Sequence, residues 1–294
     1  MNKSFTLIEI LVVIVVIGIL SAFIFVGTSS ITNSANIAKS QAFIESADQS
    51  LLLSRMSNWK LNESSGITIY DSWGNSEGTL SGTPYPEIKN SGCVSNNCLN
   101  FNGSTAYVSL NAFPNISNLS SYTISAWVKI TTGGSTQQAL GFGSSSTNAP
   151  ITNIGVDSAN KPIFQHRDDL SNIAFVHGEN TINDNKWHLI NGIRYLSNNH
   201  RIFVDGVLQL ETDPDTVGTT TVNLAAIGVL PRAALTYFWN GLIDDVRVYN
   251  QSISSSYIEQ YYYLGINKLF KSKEITFQEF NQRIVELRIN LAEQ

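Results

Sequence analysis

Charge is scarce in this chain. Asp, Glu, Lys and Arg make up 14 % of its 294 residues, the net charge is −5, and Lys and Arg never form a block. Phosphate neutralisation needs clustered cations, so nucleic acid is not expected as a partner. Cysteine is almost absent. The two that occur, Cys93 and Cys98 in GCVSNNCLNF, have no nearby Cys or His to complete a metal site. A disulfide closing a small loop is the preferred reading and implies an oxidising compartment; two unpaired thiols on a hairpin are the alternative. Hydrolase motifs are weak too: there is no H-E-x-x-H, and no G-x-S-x-G with a plausible strand-to-helix elbow. His166, His177, His188 and His200 are scattered, and His188 beside Trp187 reads as structural.

What the chain does have is apolar residues, at 43 %. That is enough for a sizeable core in one large domain or two ordinary ones. Ser, Thr, Asn and Gly fill the remaining surface, as in many secreted β proteins.

The first long run is MNKSFTLIEILVVIVVIGILSAFIFV. Apart from Thr6, Glu9 and Ser21 it is apolar from Phe5 to Val26, and no charge follows Glu9 until Lys39. Roughly 20 such residues cross a membrane. Lys3 would stay on the cytoplasmic side and leave the rest outside. A carboxylate inside such a segment is costly and needs a partner, so Glu9 reads as functional. KSFTLIEILVVIVVIGIL resembles the N-terminus of type IV prepilins and pseudopilins. The resemblance implies a leader at residues 1–4 that prepilin peptidase removes between Ser4 and Phe5, with methylation of the new Phe5 amine. It also implies that Glu9 pairs with the terminal amine of a neighbouring pilin subunit, because a buried charge is tolerable when it is paired. Ser4 stands where the family usually has Gly. If the cut fails, the chain remains a membrane-anchored binding protein.

A pilin-type helix is expected over residues 5–57, with 5–26 in the membrane. Its second half places Ile37, Ala42, Phe43, Ala47, Leu51 and Leu52 on one face, and it should end near Ser57.

From residue 58 to 265 the texture becomes β. YTISAWVKI puts Tyr122, Ile124, Ala126, Val128 and Ile130 on one face and Thr123, Ser125, Trp127 and Lys129 on the other. Asp205-Gly206 in RIFVDGVLQL signals a tight hairpin. Many short strands with frequent turns predict an antiparallel β-sandwich. WKLNESSGITIYDSWGNSEGTL, CLNFNGSTAYVSL, YTISAWVKI, KWHLINGIRY, IFVDGVLQ and GLIDDVRVYNQSIS resemble, in order, the laminin-G-like or concanavalin A-like jelly roll. Ser256 and Glu259 are read as a capping box for a short helical turn after the last strand.

Some relatives of that fold are glycosidases with paired carboxylates, often as E-x-D-x-x-E. No such run occurs here, and no enzyme is expected. Many domains of the fold bind calcium through oxygen ligands. Asp71 and Asn75 in YDSWGN, with Asp244 and Asp245 in IDDV, resemble that oxygen-rich corner. Sugar stacking would use exposed aromatics, for which Trp73, Trp239, Tyr237 and His166 are the candidates. The resemblance fixes no ligand.

Residues 266–294 form a tail, with Gly265 expected to end the preceding segment. Phe277, Phe280, Ile284, Leu287 and Leu291 recur in steps of three and four, and Thr276 with Glu279 fits a capping box. This amphipathic helix either packs on the sandwich or meets another protein.

Taken together, the chain is expected to insert in the bacterial cytoplasmic (inner) membrane as a precursor and then to reach the cell surface or a pilus. Its head would mediate adhesion through a glycan or protein ligand. A structural pseudopilin of a secretion or DNA-uptake system is the alternative. Mass spectrometry of the N-terminal peptide from cells should find methylated Phe5 at the start; a peptide retaining Met1 to Ser4 would refute processing.

Overall fold

The structure, a computed structural model, describes residues 14–15, 35–146, 150–196, 199–211, 213 and 217–292. Ser4, Phe5 and Glu9 lie outside the described residues, as does the apolar run apart from Ile14 and Val15, which are helical and exposed. Among the described residues no helix is long and apolar enough to cross a membrane.

Helix α1 (35–50) is shorter than predicted. It stops at residue 50, a single 3-10 turn follows at Leu52–Ser54, and strand β1 (Arg55–Trp59) occupies the place where helix was expected. Pairing with the last strand takes over there: Arg55 lies opposite Tyr249 and Trp59 opposite Val246. The buried stripe of α1 also differs. Ile37, Ser40, Ile44, Ala47 and Leu51 form it, at steps of three and four, whereas Ala42, Phe43 and Leu52 face solvent. Ser40 belongs to the stripe because its hydroxyl donates to Gln260 Oε1 at 2.5 Å.

Two antiparallel sheets make the sandwich. The first contains β1, β4 (Glu87–Lys89), β5 (Cys98–Asn102), β7 (Tyr122–Ile130), β12 (His188–Arg194), β13 (His200–Val204), β14 (Val207–Leu208) and β16 (Asn240–Tyr249). Their order is β14-β13-β12-β7-β16-β5-β4, with β1 also on β16. The second contains β2 (Thr68–Ile69), β3 (Gly78–Ser81), β6 (Tyr107–Leu110), β8 (Gln137–Gly143), β9 (Ile151–Val156), β10 (Pro162–Arg167), β11 (Ile173–His177) and β15 (Leu224–Ile227). Their order is β11-β10-β9-β8-β15-β6-β3-β2. Asp205 and Gly206 both have positive φ (54° and 86°), which gives the predicted β13–β14 hairpin the twist its strands need.

The predicted inner face of β7 is borne out: Tyr122, Ile124, Ala126, Val128 and Ile130 all join the core between the sheets. Its other face is buried as well. Thr123, Ser125 and Trp127 are at most 2 % exposed, because helices α2 (Ser255–Lys271) and α3 (Phe277–Ala292) cover the outside of the first sheet. Trp127 stacks on Tyr262 of α2 at 5.6 Å. A second apolar core forms here from Trp127, Trp187, Tyr249, Tyr257, Ile258, Ile266, Phe280 and their neighbours. Such a large face left open would invite aggregation.

Three details of the helical segments depart from expectation. The N-cap of α2 is Ser254, whose hydroxyl accepts from Tyr257 N, and not Ser256. Gly265 lies inside α2 and does not end it, since the helix runs on to Lys271. The described C-terminal part is two packed helices, with α3 stacking Phe280 on Phe270 and passing Arg283 Nη1 to the Trp187 carbonyl at 2.7 Å. Thr276 does cap α3, accepting from Glu279 N at 3.1 Å, while the Glu279 carboxylate turns to Arg283. In the predicted seam, Phe280 and Leu287 are buried but Phe277 is 57 % exposed.

Gly265 has a packing reason. A methyl group there would overlap the indole of Trp127. Ala normally stabilises a helix over Gly by about 1 kcal/mol. Gly265→Ala should do the opposite here and cost about 1–3 kcal/mol by overpacking. Chemical denaturation checks this; an unchanged or raised midpoint would show that α2 can shift off the sheet.

Candidate ligand-binding face

Of the four expected calcium ligands, the three aspartates are engaged by protein groups. Asp71 Oδ1 accepts the backbone amides of Asn58 (2.8 Å), Trp73 (3.0 Å) and Gly74 (3.0 Å), and Oδ2 accepts that of Ser76 (3.2 Å). Asn75 is exposed. Asp245 holds Arg247 through two bonds of 2.9 and 3.0 Å and accepts the Tyr261 hydroxyl. Asp244 is fully buried, and its Oδ2 takes the amides of Val94 and Ser95. Burial, then the charge of Asp245, push the Asp244 carboxyl well above the usual carboxylate range, against the two backbone amides that lower it. Among the described residues no group of three His, Cys, Asp or Glu side chains is placed to hold a metal ion.

These groups have structural work instead. Asp244 and Asp245 sit at the irregularity in β16 where its register against β7 shifts. Asp244 pins the loop that Cys93 and Cys98 close with their disulfide, and Trp187 Nε1 donates to Gly92 O at 2.7 Å beside it. The disulfide reading of the sequence is thereby borne out.

The aromatic candidates separate clearly. Trp239 is fully buried. Trp73 packs edge-on against Tyr249 at 5.2 Å, with Arg55 and Arg247 over its ring at 4.9 and 5.3 Å. His166 points into the core. Its Nε2 donates to Gly218 O (2.8 Å), and Nδ1 accepts from the hydroxyls of Tyr122 (2.7 Å) and Thr152 (3.0 Å). Burial lowers its pKa to about 3, so it stays neutral. Tyr237 alone of the four is exposed, at 46 %.

Tyr237 marks a surface that the sequence reading missed. Along β10, Phe164 and His166 point inward, so Gln165 and Arg167 point outward. Asn153 of β9 lies opposite Gln165, and Ile151 opposite Arg167, on that same outer face. Gly141 of β8 lies opposite Asn153. The segment after Gly228 crosses this face. Pro231 rests on Gly141 and Gly143 so closely that a side chain at either glycine would collide with it. Tyr237 O accepts from Gln138 N at 2.9 Å, which fixes the far end of the crossing.

Polar atoms gather beneath and beside this strap. Gln138 Oε1, Asn153 Oδ1, Arg167 Nε, Arg232 Nε and Thr236 Oγ1 are buried without a hydrogen-bond partner in the protein. Buried polar groups normally find partners; others without one lie on the first sheet and its helical cover, at Ser125 Oγ, Asn191 Nδ2 and Asn267 Oδ1. Asn153 Nδ2 donates to Gln165 Oε1 at 3.3 Å, which leaves the Gln165 amide hydrogens for the surface. Arg167 Nη2 donates to Ser171 Oγ at 3.2 Å, and Ser171 lines an open depression of about 580 Å³ with Ser144, Ser146, Pro150, Asp169 and Thr221. Alternation in PIFQHR is the signal that could have found this face; His166, the candidate named from that stretch, lies one residue out of phase with Gln165 and Arg167.

A second cleft, of about 370 Å³, lies between α3 and the β13–β14 hairpin. Its polar groups satisfy one another: His188 bonds Asp205 Oδ2 (2.7 Å) and Asp184 Oδ1 (2.9 Å), and Arg283 holds Glu279. That agrees with a structural role for His188.

The profile of the concanavalin A-like lectin/glucanases superfamily matches residues 102–259, and the chain belongs to that superfamily. Residues 1–25 match the prokaryotic N-terminal methylation motif. Among solved structures the chain is similar to the binding domain of Paraclostridial Mosquitocidal Protein 1, with TM-score 0.58, 15 % identity and coverage of 74 % of this chain and 53 % of that one. It is similar to the botulinum neurotoxin serotype D binding domain, with TM-score 0.55, 14 % identity and coverage of 74 % and 53 %. A Trypanosoma rangeli sialidase in complex with 2,3-difluorosialic acid gives TM-score 0.53, 14 % identity and coverage of 71 % and 32 %. At these identities the likeness is one of fold, and the chain spans about half the length of the first of these structures. No curated protein matches the chain.

His188 supplies a pH test of the hairpin. Burial alone would lower its pKa; the Asp205 charge and the bonds to Asp184 and Asp205 outweigh that and raise it to about 9. A raised folded-state pKa stabilises fully below the unfolded value of about 6.5 and is lost as pH rises through about 9. The loss of stability in His188→Gln, measured by denaturation, should therefore be largest near about pH 6 and shrink by about pH 10. A loss that does not vary with pH would refute a charged His188.

Proposed function

We propose that this chain is a pilin-type subunit, displayed outside the cell, whose sandwich head binds an extracellular glycan and does no chemistry on it. The observation that carries the reading is the unequal treatment of the two outer faces. The first sheet's outer face is buried under α2 and α3, and α1 joins that side through Ser40 to Gln260 and through Asp48, which accepts from the Tyr257 hydroxyl at 2.7 Å. The second sheet's outer face lies across the core from this attachment. It carries the exposed Tyr237, the amide of Gln165, hydroxyls and two guanidiniums. Sugars are recognised by such sets, in which a ring face stacks and fixed donors and acceptors meet hydroxyls. The N-terminal methylation motif supports assembly with other pilin subunits after prepilin peptidase processing, and thus display of the head away from the membrane.

A catalytic reading has less support. Glycoside hydrolysis needs a carboxylate pair across the bond. Asp169, the carboxylate in the depression, spends both oxygens on Thr221, at 2.8 Å each.

The test is a glycan array probed with the full chain in detergent. Saturable binding that Tyr237→Ala abolishes and Asn75→Ala leaves intact is the expected result. Silence across the array would sink the adhesive reading and favour a structural pseudopilin whose head is a spacer.

A further inference from the structure

The two arginines on the second sheet's outer face have no acidic partner. Every ion pair among the described residues lies elsewhere, and Arg232 Nε is buried without a hydrogen-bond partner. They are neighbours. Pro231 sits over Gly143 beside Ile151, and Ile151 is the cross-strand neighbour of Arg167. Burial is the main cause that lowers the Arg232 pKa; the Tyr237 phenol opposes it and the Arg167 charge adds to it. Two half-buried cations side by side, in a chain of net charge −5, are costly unless something anionic meets them. The nearest carboxylates are turned away: Asp169 to Thr221, and Asp168 to the amides of Leu170, Asn172 and Gly218.

Resting on the glycan reading above, we propose that Arg167 and Arg232 form an anchoring subsite for the carboxylate of an acidic sugar. A guanidinium edge offers parallel N–H donors that match the two oxygens of a carboxylate. Both Nε atoms are buried without a protein partner, so the carboxylate would meet the outer, Nη ends of the two guanidiniums. The Ser171 hydroxyl on Arg167, the Ser144 and Ser146 hydroxyls that share its depression, and the Tyr237 ring suit the polyhydroxyl body of a sugar better than they suit a bare inorganic anion. The Gln165 amide hydrogens add donors next to Arg167. The head thus selects glycans by charge as well as by shape.

The experiment is calorimetric titration of the full chain in detergent with two matched pairs of probes. One pair is an oligogalacturonate and its methyl ester; the other is sialyllactose and lactose. The acidic member of at least one pair should bind, with its neutral partner weaker by about tenfold to a hundredfold. Arg232→Gln and Arg167→Gln should each remove that preference. Arg232→Lys, which keeps the charge without the fork, should keep part of it. Melting curves identify any variant that fails to fold, and the Lys variant then carries the comparison. Acidic and neutral probes binding equally, with the arginine variants unaffected, would overturn the acidic subsite and leave glycan binding standing. If no probe binds and the array is silent, both readings fall. Inorganic sulfate competing as well as the acidic sugar at equal concentration would also overturn the proposal, since the sugar body would then contribute nothing.

Discussion

The Asp245–Arg247 ion pair is the contact on which the rest of the architecture rests. It sits at the shifted register of β16, the strand that pairs with β1, β5 and β7 at once. Arg247 lies over the Tyr261 ring at 4.0 Å and faces Trp73, and Tyr257 ties Tyr249 to Asp48 of α1. Sheet, helical cover and stalk meet at this one network. An isolated charge here would be expensive, and breaking such a pair from one side typically costs about 3–5 kcal/mol. The burial that makes the pair costly also makes it specific, because the guanidinium and the tyrosine hydroxyls have no comparable alternative partners.

From that network follows the division of labour between the faces. A sandwich strand normally has one buried and one solvated side. In the first sheet both sides are buried, since Trp127, Trp187 and the tyrosines of α2 build a second core outside it. Attachment to the helical stalk uses up this face. In the second sheet β8 and β9 are buried throughout, and the half-exposed outward residues are those of β10, Gln165 and Arg167, beside the strap. On the function proposed above, recognition falls to the side of the head that the helices do not cover.

The sequence made much of this legible. The FTLIE run, the alternation of YTISAWVKI, the Asp-Gly hairpin and the Cys93–Cys98 loop are local signals, and each carries its physical reason within about ten residues. Signals failed where a distant partner decided the outcome. Arg55–Trp59 continues a helical pattern but is strand because β16 offers it a ladder. Gly265 looks like a stop yet permits contact with Trp127. Ser40 looks polar and outward but belongs to the buried stripe because Gln260 is there to receive it.

The candidate site shows the same limit more sharply. Composition and motif determined the class: a concanavalin A-like sandwich behind an N-terminal methylation motif, poor in charge. Which residues form the proposed recognition surface was decided only in three dimensions. Arg167 and Arg232 are far apart in the chain, and neither belongs to a motif. They become neighbours because strand register places Arg167 beside Ile151 and because glycines 141 and 143 let the 231 segment lie flat on the sheet. Periodicity can say that a side chain alternates. It cannot say which phase faces out, or what crosses above it, until the sheets have packed.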